Sequence, residues 1–169
     1  MRKDSNRFRF RPALPAVALL CAALFTHSAN AEEAAEPTRF VSIRGETAYM
    51  REGPSAEHKV KWVYRHKGLP VEVLQSYDVW RRVRDADGEV GWMHAALLSA
   101  ERTAVVRGAG MAVVRRGGGQ DAPALAQAQT GAIGKIKSCN PLACELDFGE
   151  VAGWVEKSRL WGIHGGERF

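Results

Sequence analysis

The chain lacks the sequence signatures of the common catalytic and metal sites. It has no G-x-S-x-G stretch for a serine nucleophile, no glycine-rich phosphate-binding loop and no constellation of paired carboxylates. Its five histidines form neither an H-x-H nor an H-E-x-x-H motif, which removes the usual basis for a zinc site. We therefore expect no catalytic residues, no metal and no cofactor, and a protein that is not an enzyme.

A hydrophobic run long enough to cross a membrane is also missing. The longest apolar stretch, residues 13–25, falls short of the about 20 residues that a membrane-spanning helix needs. Five basic residues precede this stretch and the small-x-small sequence Ala29-Asn30-Ala31 follows it, which is typical of a secretory signal peptide. We expect residues 1–31 to be a signal peptide and residues 32–38 a linker. The mature protein would then be periplasmic or secreted, with no stable membrane span.

An excess of charge of one sign is missing once the predicted signal peptide is set aside. The whole chain has 24 Lys and Arg residues against 19 Asp and Glu residues, a net charge of +5. Five of the basic residues and one of the acidic residues lie in residues 1–31, so the remainder has 19 basic and 18 acidic residues. A nucleic-acid-binding domain is expected to keep a strongly basic face. Nucleic acid is therefore not expected as a partner.

Cysteine is scarce, with three residues, and Cys21 lies in the predicted signal peptide. The two that remain, Cys139 and Cys144, flank a spacer that contains the turn-forming pair Asn140-Pro141. An even number of cysteines in an exported chain favours a disulfide bond. Free thiols are the first alternative. Metal binding or redox catalysis is the second, and it is weakened because the spacing is not C-x-x-C and no second ligand pair lies nearby.

What the chain does contain is an internal repeat. GEVGWMHAALLS (residues 88–99) is echoed by FGEVAGWVEKSRL (residues 148–160), and the two Gly-Trp pairs are 62 positions apart. Two further landmarks recur in the same order: Arg44-Gly45 corresponds to Arg107-Gly108, and Arg51 corresponds to Arg115. Their offsets drift by single residues, as loop insertions and deletions produce. The sequence therefore predicts two related units in tandem.

Each unit consists of short apolar runs that alternate with period two and end at glycine-containing or charged turns. In the stretch WRRVRDADGEVGWMH (residues 80–94), Asp87-Gly88 supplies the turn of a predicted hairpin. The following HAALLS lacks β-branched residues and is expected to form a single 3₁₀ turn. The pattern predicts an all-β protein made of small antiparallel barrels or sandwiches.

Three stretches carry a family resemblance: TAYMREGPS, VEVL and WRRVRDADGEVGWMHAALLS, in this order within residues 39–99. They resemble the bacterial Src-homology-3-like (SH3b) domain. The resemblance implies two small SH3-like β-barrels, the first at residues 39–99 and a divergent second one at residues 101–163, followed by a tail at residues 164–169. Because such domains commonly target the cell wall, it also implies a non-catalytic binding module. Its expected partner is a peptidoglycan-type peptide or glycan, or a periplasmic protein.

The aromatic residues provide the candidate sites. Trp92 and Trp154 recur in both units and are therefore predicted to be structural core residues. Trp80 has no tryptophan counterpart, because Cys144 stands in its place and Cys139 stands near the place of Tyr77, so a disulfide is expected to replace an aromatic contact there. Residues that differ between repeats are where a site is expected. The ligand-binding candidates are Tyr49, Tyr77, Trp80 and His94.

Two other functions follow from the resemblance and are disfavoured. Wall-degrading enzymes often carry domains of this family, so a cysteine-dependent cell-wall hydrolase using Cys139 or Cys144 is the alternative; it needs a free thiolate, which a disulfide would remove. Eukaryotic relatives read proline-rich peptides through aromatic walls. Here His94 and Leu97 stand where the pattern of those relatives has a proline and a tyrosine, so this recognition is not expected.

The recurring Arg51 and Arg115 are expected to hold turns through bonds to carbonyl groups.

Overall fold

The computed structural model describes residues 38–168, and this part of the chain is all-β, as predicted. The predicted signal peptide and all but the last residue of the predicted linker lie outside the described residues. Within residues 38–168, no helix is long and apolar enough to cross a membrane. The strands of the first sheet are β1 Arg39–Ile43, β2 Ala48–Arg51, β3 Val60–Tyr64, β4 Pro70–Tyr77, β5 Trp80–Arg84, β6 Val90–His94 and β7 Leu98–Ser99.

The second sheet repeats the first strand for strand. Its strand order is the order of the first sheet, β3-β2-β6-β5-β4-β1-β7, with each strand replaced by the strand seven places later in the chain. A 3₁₀ turn precedes the last strand of each sheet, at Ala95–Leu97 and Lys157–Arg159. The predicted tandem repeat is therefore confirmed. The strands of the second sheet are β8 Thr103–Val106, β9 Ala112–Arg115, β10 Ala124–Ala128, β11 Ile133–Cys139, β12 Ala143–Asp147, β13 Ala152–Glu156 and β14 Leu160–Trp161.

Each barrel buries one face of its strands, and the Gly-Trp pairs show which face. Gly91 and Met93 are buried in the first barrel, as are Gly153 and Val155 in the second. A Cβ atom at Gly91 would lie 2.4 Å from Met50 Cγ, so β6 can approach β2 this closely only without a side chain there. Since side chains alternate along a strand, the tryptophan beside each glycine points to the other face.

Trp92 and Trp154 are therefore not core residues, and that prediction is wrong. Both are half-buried, and neither belongs to the buried clusters of the two barrels. The physical reason is the two-residue period: with Gly91 and Met93 on the inner face, Trp92 must lie on the outer face. The repeated glycine is the core feature of this motif. The repeated tryptophan covers the outside of the sheet.

The predicted turn roles are confirmed for two arginines. Arg51 Nη1 donates to the carbonyl of His58 at 2.7 Å, and Arg115 Nη1 donates to the carbonyl of Ala122 at 2.9 Å. In the β5–β6 hairpin, the carboxylate of Asp85 accepts hydrogen bonds from the amides of Asp87 and Glu89. This turn is therefore organised by an acidic side chain as well as by its glycine.

Cys139 and Cys144 form the predicted disulfide bond, but not in the predicted place. Both belong to the buried cluster of the second barrel. Cys144 pairs with Val155 on β13, just as Arg81 pairs with Met93 on β6, so Cys144 occupies the position of Arg81 and not of Trp80. A one-residue shift in a strand turns a side chain to the opposite face. The disulfide therefore stabilises the core and does not replace an aromatic contact on the surface.

The two barrels contact each other within one compact unit. Thr103 Oγ1, in the second barrel, donates to the carbonyl oxygen of Gly68, in the first, at 2.7 Å. The buried ring of Phe40 in β1 packs edge-on against Trp161, with ring centroids 5.0 Å apart, and in a tilted arrangement against His164, with ring centroids 4.8 Å apart. These contacts set the arrangement of the two barrels and therefore determine which residues remain exposed between them.

Candidate ligand-binding site

Three of the four predicted ligand-binding residues lie together on the outer face of the first barrel. Trp80, at the start of β5, pairs through its backbone with His94, at the end of β6, and with Tyr77, at the end of β4. The rings of Trp80 and His94 pack edge to face, with centroids 5.4 Å apart. Directly opposed residues of antiparallel strands share a face of the sheet. The hairpins of β4–β5 and β5–β6 therefore bring these three rings together.

Trp92 is a fourth member of this cluster. Its ring lies 6.5 Å from that of Tyr77 in an edge-to-face arrangement, across β5. Between them, Arg82 pairs through its backbone with Trp92 on one side and with Gln75 on the other. The signal in the sequence was the alternation around Gly91, which places Trp92 on the same face as His94. We call the cluster of Tyr77, Trp80, Trp92 and His94 the aromatic rim.

Tyr49 lies outside the aromatic rim. It is on β2, two residues before Arg51, whose backbone pairs with Trp92. Its side chain is 44% exposed and faces the same side as Val63 of β3. Tyr49 belongs to neither of the two ring pairs, so the structure places it on a neighbouring strand and not within the cluster.

Local backbone contacts hold the rim in place. Asp78, in the β4–β5 turn, has a left-handed backbone with φ 47°, and its carbonyl accepts a hydrogen bond from Arg81 Nη1 at 2.7 Å. The amide of Ala95 donates to the carbonyl of Val79 at 2.8 Å, which ties the turn to the end of β6. His94 Nδ1 accepts from the amide of Ala96, so the neutral imidazole carries its proton on Nε2. The ring orientation of His94 is thereby set.

The rim combines exposed aromatic surface with a neighbouring cation, Arg82. Tyr77 is 61% exposed, whereas Trp80 and Trp92 are half-buried and present part of their rings. Arg82 is exposed and makes no ion pair within residues 38–168. Such a surface can stack against an apolar or sugar face while the guanidinium binds a carboxylate.

The second barrel has no comparable cluster among the described residues. Its register places Ala143 and Glu156 where the first barrel has Trp80 and His94. Trp154, the counterpart of Trp92, lies against Gly118, where a Cβ would come within 2.9 Å of the indole. Asn140 Nδ2 donates to the carbonyl of Gly118 at 3.0 Å and holds this glycine loop in place. The outer face of the second barrel thus has a glycine loop against its tryptophan and lacks counterparts of the Trp80 and His94 rings.

The described residues give little support to metal or thiol chemistry. Residues 38–168 contain no group of three or more His, Cys, Asp or Glu side chains that could hold a metal ion. Both remaining cysteines are bonded to each other, and their exposed fractions are 6% for Cys139 and 0% for Cys144. A nucleophilic thiolate at either position would require the disulfide to be reduced and the core to open.

Comparison with known proteins identifies the barrels. The family model described as the bacterial SH3 domain matches residues 44–100 and again residues 108–162. No curated protein was found to be similar to the chain. Two solved structures that match are NlpC2 and NlpC1 from Trichomonas vaginalis, each with a TM-score of 0.33 and 10% identity over 73% of this chain. The matches cover 48% and 45% of those proteins, so the chain spans about half their length.

Proposed function

This chain belongs to the bacterial SH3 domain family, and from that membership we propose that it is an exported, non-catalytic binding module that recognises cell-wall peptide or glycan in the periplasm or outside the cell. The aromatic rim of the first barrel would be its contact surface. A periplasmic protein is the other partner that this surface suits, because tyrosine and tryptophan are also the residues that dominate protein interfaces.

The observation that carries the proposal is the difference between two barrels of the same topology. Four rings form two contacting pairs on the outer face of the first barrel, whereas the second barrel has small or acidic side chains at two of these places and a tryptophan against a glycine loop at a third. The topology of the barrels does not require the aromatic rim, since the second barrel has the same strand order without it. Residues that packing does not require are the ones to examine for binding.

Peptidoglycan offers groups that match the rim. Its sugar rings have apolar faces that can stack on indole and phenol rings, and its peptides carry carboxylates that can pair with Arg82. The rival cysteine-dependent hydrolase finds less support, since both sulfurs lie in a buried disulfide. Labelling the native protein with a thiol reagent separates the two functions, because only the hydrolase needs a reactive cysteine.

The proposal is tested by incubating the purified protein with isolated cell-wall sacculi at low salt and sedimenting them. We expect the protein to co-sediment, and to be released by soluble muropeptides prepared from the same sacculi. Absence from the pellet would contradict the wall partner. A periplasmic protein would then be sought by cross-linking in the intact cell, with a variant lacking the rim as the control.

A further inference from the structure

A second open surface lies between the two barrels and shares no residue with the aromatic rim. It is a cleft of about 890 Å³, a volume within the range of small-molecule sites. Both barrels line it: Ile43, Lys67 and Gly68 come from the first, and Thr103 and Ile133 from the second. The hydrogen bond from Thr103 to Gly68 joins the barrels at this cleft.

The charge of the cleft is positive although the mature chain is almost neutral. Four basic and two acidic residues line it. Each acidic group is already neutralised by a lysine: the distance is 2.8 Å from Lys135 Nζ to Glu101 Oε1 and 3.2 Å from Lys137 Nζ to Asp147 Oδ2. Two cations therefore remain without an acidic partner among residues 38–168. They are Arg44 and Lys67.

The two remaining cations differ in how firmly they are held. Arg44 donates from Nε and Nη2 to the carbonyl oxygen of Leu98 at 3.0 and 2.8 Å, which positions its guanidinium at the cleft without neutralising it. Lys67 is exposed and lies two residues after Arg65, so the loop between β3 and β4 adds to the positive potential. A concave, low-dielectric surface concentrates such a potential and attracts anions.

The walls between these charges include apolar side chains. Ile43, Ile133 and Phe148 line the cleft together with backbone at Gly68 and Gly149. A ligand that fits must therefore carry separated negative groups joined by short, partly apolar segments. A peptide with acidic and alanine-like residues has these properties, and a highly charged polyanion does not match the apolar walls.

We propose that the cleft between the barrels binds a short acidic peptide through two carboxylates, one paired with Arg44 and the other with Lys67. This site deepens the proposed function, on which the choice of a peptide as the ligand rests, because it adds a contact surface that uses neither the aromatic rim nor a sugar. It needs both barrels in their observed arrangement, which gives the second barrel a role in binding although it lacks the aromatic rim.

The test is a calorimetric titration of the purified protein with two synthetic peptides. The first is acetyl-Ala-Glu-Ala with a free carboxyl terminus, which carries two carboxylates; the second is acetyl-Ala-Gln-Ala-amide, which carries none. We expect the first to bind, with an affinity that falls as salt is added, and the second not to bind. Replacing Lys67→Gln should weaken the first peptide by about tenfold, the usual value of one charge-assisted hydrogen bond.

A matched control is Lys59→Gln, which removes an exposed lysine of the same barrel outside the cleft. The proposal is overturned if neither peptide binds at low salt, if both bind equally, or if the two lysine variants lose the same affinity. Trp80→Ala separates the two proposals. It should weaken sedimentation with sacculi by about 30-fold while leaving the peptide titration unchanged, so either site can fail without the other.

Discussion

At the scale of single residues, the tryptophans of the first barrel differ in whether they contact another ring. Trp80 and Trp62 are both tryptophans of this barrel with exposed surface, but only Trp80 contacts another ring of the rim. Trp62 lies 49% exposed on strand β3, at the end of the sheet. Comparing substitutions of Trp80 and Trp62 therefore measures how much the rim contributes to binding beyond any partly exposed tryptophan of this barrel.

We expect Trp80→Ala to weaken binding to sacculi by about 30-fold, the loss of about 2 kcal/mol typical of a central aromatic contact. Trp62→Ala should leave binding within about twofold. Sedimentation at several sacculus concentrations gives the affinities, and circular dichroism shows whether each variant is folded. Equal binding by wild-type protein and a folded Trp80→Ala variant would remove the rim as the contact surface.

A second residue-scale prediction concerns stability. Met93 is completely buried, whereas the adjacent Trp92 lies half-buried on the outer face. Met93→Ala should therefore lower the free energy of unfolding by about 2–5 kcal/mol, and Trp92→Ala by only about 1–2 kcal/mol despite the larger side chain. Urea unfolding measures both values. A larger loss at Trp92 than at Met93 would show that the tryptophan supports the core after all.

At the scale of elements, a hydrogen bond joins strand β3 to the hairpin of β5 and β6. Tyr64 Oη donates to Asp85 Oδ2 at 2.7 Å, and the same carboxylate accepts the amides of the turn. Burial of the phenol, together with its bond to Asp85 and the charge of that group, raises the pKa of Tyr64 above its ordinary value of 10.0. The neutral, donating form is thus stabilised in the folded state.

Tyr64→Phe should lower the free energy of unfolding at neutral pH by about 1–2 kcal/mol, since it leaves the carboxylate without this donor. When the pKa of a group is raised in the folded state, its contribution to stability is fully present below the ordinary pKa. That contribution is lost as the pH rises through the pKa of the folded state. The difference between wild-type protein and Tyr64→Phe should therefore shrink above pH 10.0. Urea unfolding across this range measures it, and a constant difference would contradict the assigned bond.

At the scale of the whole molecule, one topology occurs twice with different side chains on its outer face and in its core. The first barrel carries the aromatic rim, and the second carries a glycine loop against its outer tryptophan and a disulfide in its core. Their contact through Phe40 and Trp161 makes them one unit, and the cleft between them is a property of neither barrel alone. The two units should therefore not be interchangeable.

The double variant Cys139→Ala/Cys144→Ala tests this division. The disulfide closes a loop of only a few residues, so its removal should cost about 2 kcal/mol of stability. Binding to sacculi should be unchanged, because the rim lies in the other barrel. Stability is measured by urea unfolding and binding by sedimentation. Loss of wall binding or of a wall-degrading activity in a folded double variant would favour the cysteine-dependent alternative.

The sequence by itself determined the features that depend on neighbours along the chain. The strands follow from period-two alternation, the turns of Arg51 and Asp87-Gly88 from local chemistry, and the disulfide from two cysteines joined by a short turn. The repeat was visible because both units conserve the order of these local signals, and three of the four candidate residues share a hairpin or its adjoining strand.

The tertiary structure alone decided which face each strand buries and what the barrels form together. Alternation divides a strand into two sets of side chains, but the set that faces the core depends on how closely another strand approaches, as Met50 does at Gly91. That contact requires Gly91 on the inner face, so Trp92 faces outward. The register of β12 against β13 places Cys144 opposite Val155, in the core. The cleft at Arg44 and Lys67 needed the docking of two barrels, because its walls come from residues far apart in the sequence.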